Sequence, residues 1–428
     1  MHSGRIARRL ALLWLAGFDL RVTLLAVPPL LPVISRDLGL SATLVGALTT
    51  LPVLLLGLAA AVGSVVVAKL GVHRALTLGL LVAAVAGALR GVGPSVGALF
   101  GFTLLMGIGI AVAQPALPSL VRQWAPEAVG QATAVYGNGL LVAEAVAASL
   151  TLPLILPLVG SWPWALAFWS APLVFTVALT WRSAKARPEA GSDLALTDVP
   201  AIAPSGASRS GSASRTWPNW GDRRTWILGL VQGGSSAAYF AANTFLPGYL
   251  HAIGKPGLVG ITLAALNTSQ LPGSFLLLPL SGRLMGRRWP IATLISVLLV
   301  ATGALLVAPG SIVVVPVTVI GLTSSLVLLL SLALPAMWVP PREVASLSAG
   351  MFSVGYTLAF VLPVVGGAVA DAVGSTRMTL GSALVGVTIA AAATALLPRR
   401  IRIDDKRARV ASVAPTSPPS AQGPGSSD

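Results

Sequence analysis

Four ionisable side chains sit inside apolar runs of this sequence: Asp19, Arg21, Arg90 and Glu144. A charge held in hydrocarbon costs about 2.5–3.5 kcal/mol on insertion scales, so each needs a partner or a task. Arg21 is the deepest, roughly 16 Å along a helix that must cross a core about 30 Å thick. From there its side chain does not easily reach either interface. Two readings fit it: a guanidinium that binds an anion in a water-filled cavity, and a structural charge pair. Asp19 stands two positions away, about 200° around a helix, so the two do not face each other. Either the helix breaks near Gly17, or each finds its partner elsewhere. Neutralising Arg21 and tuning a proton step are the two roles open to Asp19. Glu144 is a candidate proton carrier or the partner of Arg21, with a neutral, helix-packing acid as the bland alternative. Arg90 lies near the outer end of its run, within snorkelling reach of the interface, and is a candidate substrate contact.

Neutral polar side chains complete the set: Gln114, Asn138, Gln232, Tyr239, Asn243, Asn267, Gln270 and Tyr356. Gln114 follows Gly107-Ile108-Gly109-Ile110, a run that permits close helix approach. Such groups serve as helix–helix glue or as donors and acceptors to a small polar or weakly charged solute.

The elements that must hold these residues are membrane helices. The chain has 428 residues, 55% hydrophobic and only 10% charged, with a mean hydropathy of +0.85. A soluble domain carries about 25% charged residues, so this surface is built for lipid. Twelve apolar stretches are long enough to span: 10–34, 42–68, 75–93, 97–121, 128–157 and 162–181, then 225–250, 257–281, 290–308, 311–338, 343–370 and 376–397. They define an all-α membrane protein of two six-helix halves, 1–181 and 225–397. A Ser-, Pro- and charge-rich linker, 182–224, joins them, and a similar tail occupies 398–428; both read as flexible.

The halves repeat each other. Leu31-Pro32, Leu51-Pro52, Lys69 and Ala116-Leu117-Pro118 recur as Leu246-Pro247, Leu271-Pro272, Arg283 and Ala333-Leu334-Pro335, in order and at offsets of 214 to 220 residues. A duplicated unit is the trace of a transporter whose site lies between its halves near the midplane.

The net charge of +15 invites a nucleic-acid reading, but position decides against it. With the N-terminus inside, Arg5, Arg8, Arg9, Lys69, Arg74, Arg122, Arg283, Arg287, Arg288, Arg342 and the cations of linker and tail all fall on one side. The other side has Arg36, Lys255 and Arg377. This is the positive-inside bias of a plasma-membrane protein with both termini and the linker in the cytoplasm. The first run is too long for a signal peptide and reads as an uncleaved helix. His2, His73 and His251 have no metal-ligand spacing, there is no cysteine, and no phosphate-binding Gly-x4-Gly-Lys-Ser/Thr occurs. No metal or cofactor is expected, the driving force is a gradient, and enzyme and receptor readings lack a catalytic cluster or extramembrane mass.

Taken together, these features resemble the major facilitator superfamily, and more narrowly its cyanate and 2-nitroimidazole permease family. Asp19-Leu20-Arg21, Pro29-Leu30-Leu31-Pro32 and Leu48-Thr49-Thr50-Leu51-Pro52-Val53 resemble that family's opening. Gly87-Ala88-Leu89-Arg90 resembles the end of its third helix, and Gly107-Ile108-Gly109-Ile110 with Gln114 and Pro118-Ser119 its fourth. Gly229-Leu230, Gly233-Gly234 and Leu246-Pro247 are similar to its seventh, and Gly355-Tyr356, Pro363 and Gly366 to its eleventh. The resemblance implies a permease for a small polar or anionic solute, working as a monomer by alternating access. Arg21 would hold the solute, Arg90 would guard the outer approach, and Asp19 and Glu144 would carry or balance a proton. Asp19 stands where the family has Asn, Pro28-Pro29 replaces Gly-Pro, and Glu144 replaces a glycine of the cyanate branch. The added acids favour proton coupling, a neutral or cationic solute, or export. The alternative is therefore a proton-coupled exporter of a drug or metabolite. The span holding Glu144 lacks the Gly-Pro motif of drug antiporters, which counts against ordinary multidrug efflux.

Overall fold

The computed structural model describes residues 2–58, 66–67, 69–93, 95–125, 129–185, 219–273, 275, 284, 286–308, 310–339 and 341–400. The main helices are α1 (His2–Leu25), α2 (Val27–Leu38), α3 (Ala42–Leu58), α4 (Val72–Leu89), α5 (Val96–Ala113), α6 (Ala116–Trp124), α7 (Val129–Leu150), α8 (Trp162–Phe168) and α9 (Ala171–Lys185). After the linker come α10 (Arg223–Ala252), α11 (Val259–Thr268), α12 (Arg288–Val307), α13 (Val314–Trp338), α14 (Pro341–Val373) and α15 (Arg377–Ala395). Helix lies within each of the twelve expected ranges. Among the described residues, nine helical stretches are long and apolar enough to cross a membrane. Most of the expected linker and tail, 186–218 and 401–428, lies outside the described residues. The linker's described ends are helical: Lys185 closes α9, and Asp222 caps α10 by accepting from the Arg224 amide at 2.9 Å.

Several spans are divided, and proline marks the places. The first breaks at Ala26, ahead of Pro28 and Pro29, and not near Gly17. Pro28 and Pro29 have no amides to bond the carbonyls one turn back, so the hydrogen-bond ladder is interrupted at Ala26 and the chain restarts as α2. Gln114-Pro115 separates α5 from α6, and a π-turn at Thr151–Ile155 containing Pro153 extends α7. Outward-facing surfaces remain apolar: Leu78, Leu81, Val85, Val300, Val307 and Val361 are all exposed. In water such a surface would drive association; in lipid it is the solvent-matched face.

Two helices are enclosed. α10 is buried on all sides over most of its 30 residues, and it packs on α14 and α15, with Gly233 against the Gly355 backbone. In the first half, α1 packs on α7. A Cβ on Gly17 would meet the Tyr136 carbonyl, and one on Gly139 would meet the Trp14 carbonyl. Glycine at both positions lets the backbones touch. The halves meet along α3 with α14 and α7 with α11.

Candidate functional site

The close α1–α7 contact fixes the centre of the molecule. Arg21 lies one turn beyond Gly17, and Glu144 lies beyond Gly139 in the same direction. Arg21 Nε and Glu144 Oε1 are 3.5 Å apart, with both side chains largely shielded from solvent. Glu144 also reaches across to the second half. Its Oε2 lies 3.0 Å from the Tyr239 hydroxyl on α10 and accepts from Gln270 Nε2, just beyond α11, at 3.0 Å. Gln270 Nε2 also donates to the Tyr239 oxygen at 3.1 Å. That hydroxyl lies 2.6 Å from Asn267 Oδ1. Asn267 Nδ2 donates to Asn243 Oδ1 at 3.0 Å, and Asn243 Nδ2 donates to the Tyr239 carbonyl at 3.2 Å. Tyr356 on α14 faces Arg21 and stacks on Phe352 with ring centroids 5.5 Å apart.

Seven of the sequence candidates thus converge at the interface between the halves: Arg21, Glu144, Tyr239, Asn243, Asn267, Gln270 and Tyr356. A buried ion pair is costly unless its spare hydrogen-bonding capacity is filled, and Tyr239 and Gln270 supply donors to the carboxylate. The Tyr239 hydroxyl has one proton and two acceptors within reach. With Glu144 ionised, Tyr239, Gln270 and Arg21 all direct donors to it. With Glu144 protonated, the acid can donate to Tyr239, which donates on to Asn267. The cluster therefore has a bonding pattern for either protonation state of its carboxyl group.

The other candidates lie elsewhere. Asp19 is fully buried on the far face of α1, with the Thr176 side chain of α9 beside its carboxyl group. The helix is continuous from Asp19 to Arg21, and the two face different neighbours, Thr176 and Glu144, as the 200° separation requires. Arg90 does not snorkel. It is 1% exposed, and its Nη2 donates to the Thr23 carbonyl at 2.7 Å, bracing α4 against the last turn of α1. Carbonyls at a helix end lack in-helix partners, which makes Thr23 available to this guanidinium. Asn138 accepts from the Trp14 indole at 2.9 Å, on the same α1–α7 seam but away from the ion pair. Gln232 is buried, donates to Ser236 at 2.9 Å and lies against Gly355. Gln114 takes the C-cap position of α5 and makes no side-chain hydrogen bond to the cluster among the described residues. Among the described residues no group of His, Asp and Glu is arranged to hold a metal ion.

The model of the Major Facilitator Superfamily matches residues 12–249. The chain is 28% identical over 376 residues to a 2-nitroimidazole transporter of Escherichia coli (strain K12), covering 87% of this chain and 90% of that protein. It is 27% identical over 279 residues to the cyanate transport protein CynX of the same organism, covering 65% and 68%. In fold it is similar to a bacterial homologue of the human lysosomal transporter Spinster in an inward-facing, unoccupied conformation. The TM-score is 0.69 at 15% identity, over 92% of this chain and 96% of that one.

Proposed function

The chain belongs to the Major Facilitator Superfamily and is a multi-pass membrane transporter; from that premise we propose that it moves a small polar or anionic solute, of the cyanate or nitroimidazole kind, coupled to protons. The observation that carries this reading is the Arg21–Glu144 pair, 3.5 Å apart at the seam between the halves and ringed by Tyr239, Asn267 and Gln270. The guanidinium is the attractive group for a solute anion or electron-rich ring. Glu144 already occupies it, so solute and carboxylate compete. Protonating Glu144 releases Arg21 to the solute, while Tyr239 and Asn267 take up the acid's new hydrogen bond. Deprotonation restores the ion pair and expels the solute. Proton and solute thereby travel together.

Gln270, Asn243 and Tyr356 are the neutral contacts of the solute in this scheme. Asp19 is a second proton-holding acid, outside the solute's reach on the far face of α1. Arg90, Asn138 and Gln232 hold the surrounding helices together, and Gln114 caps α5. The Lys and Arg distribution supports cytoplasmic termini.

Ligands that bind the folded state raise its stability, so a thermal-shift screen of purified protein against small anions, nitroimidazoles and organic acids identifies the solute. Arg21→Ala is then expected to abolish its uptake into vesicles. Normal uptake by correctly inserted Arg21→Ala protein would remove Arg21 from the site.

A further inference from the structure

Away from the central cluster, one carboxylate ties the two halves together. Asp371 stands near the end of α14, in the second half. Its Oδ1 accepts from the Ala42 amide at 2.8 Å, and its Oδ2 accepts from the Thr43 amide at 2.9 Å and the Thr43 hydroxyl at 2.6 Å. Ala42 and Thr43 open α3, in the first half. Within the same helix start, the Ser41 hydroxyl oxygen accepts only from the Leu44 amide, at 3.3 Å. Two of the helix's first amides, which have no partner inside the helix, therefore take theirs from the other half. The carboxylate also meets the positive end of the α3 dipole.

The neighbouring packing follows the same line. A Cβ on Gly367 would meet the Ala42 backbone, and one on Gly46 would meet the Pro363 carbonyl. One turn deeper, the Thr49 and Thr244 hydroxyls bond across the halves at 2.7 Å. These contacts lie at the end of the bundle that the Lys and Arg bias assigns to the outside, beside a cleft of about 410 Å³ lined by Arg36, Val45, Thr244, Phe245, Asp371 and Thr379. In a transporter that works by rocking one half against the other, contacts at one end must break for that end to open.

We propose that Asp371 is the latch of the outer gate: by capping α3 from the opposite half it holds the outward side closed, and its release is a step of outward opening. Closure then depends on charge-assisted hydrogen bonds that re-form with water when the end opens, so the latch is reversible.

The native chain has no cysteine, so a single reporter can be read without background. Val45 lines the cleft and is buried. Val45→Cys protein, purified in detergent so that sidedness does not matter, is treated with a maleimide with and without Asp371→Asn. Losing the charged acceptor is expected to speed labelling about tenfold, with a smaller rise for Thr43→Val, which removes the hydroxyl bond alone. A purely local cap predicts a lower melting temperature and unchanged labelling; that result in folded Asp371→Asn protein would overturn the latch. If Asp371→Asn does not fold, Thr43→Val decides: faster labelling supports the latch and an unchanged rate overturns it. The assay needs no solute, so its outcome is separate from that of the transport reading.

Discussion

At the level of single residues, the proposed cycle turns on what the carboxyl of Glu144 can do in each protonation state. Tyr239 is the pivot, because its one hydroxyl faces both Glu144 and Asn267. Tyr239→Phe keeps the ring and removes that hydroxyl. It leaves the buried Asn267 oxygen without this donor, a loss worth about 1–3 kcal/mol. The expected result is a lower melting temperature together with solute uptake reduced well below wild type. Uptake at the wild-type rate would show that the relay through Tyr239 is not used. The residues of this cluster were individually legible as expensive or polar groups in apolar runs. Their convergence was not, since nothing local in Tyr239 or Asn267 states which helix it will face. The sequence leaves Glu144 three readings, proton carrier, partner of Arg21 or neutral packing acid, and the 3.5 Å approach to Arg21 gives it a definite partner. Asp371 escaped notice altogether: it sits beside a loop, where an acid is ordinary, and its partners are backbone amides hundreds of positions away.

At the scale of elements, the site exists because α1 and α7 approach to backbone contact. Gly17 and Gly139 make this possible, and the ion pair follows one turn later. Gly139→Leu must push the helices apart, at a cost of about 1–3 kcal/mol for overpacking, and carries Arg21 away from Glu144. A fall in melting temperature with loss of uptake is expected, whereas Gly137→Ala, where a Cβ meets nothing within 4 Å, should leave both nearly unchanged. Equal tolerance at both positions would contradict the close-contact account. The all-helical, membrane-spanning character was readable from apolar length alone, because lipid demands it, and nine described helical stretches are long and apolar enough to span. The breaks were less so. Gly17 suggested one, but glycine serves there for packing, and the break falls at Ala26 because two prolines follow. The sequence places Arg90 within snorkelling reach of the interface, as a candidate substrate contact. The structure turns it inward to Thr23, because a carbonyl in the last turn of α1 is a better partner than a distant headgroup.

For the whole molecule, the two clusters that join the halves divide the work. In the proposed scheme the central one binds and discharges the solute, and the outer one, at Asp371, holds one end shut. Composition foretold much of this layout: a chain with 10% charged residues places them in loops, leaving a few whose depth demands explanation. The duplicated halves foretold a seam, and the seam is where seven candidates meet. In the proposed cycle a proton on Glu144 frees Arg21 for the solute. Proteoliposomes carrying an internal pH dye, given the solute found by thermal shift, read that proton directly. Wild-type protein is expected to acidify the lumen as solute enters, and Glu144→Gln to move solute without a pH change. Solute-evoked acidification that persists in Glu144→Gln would contradict the account.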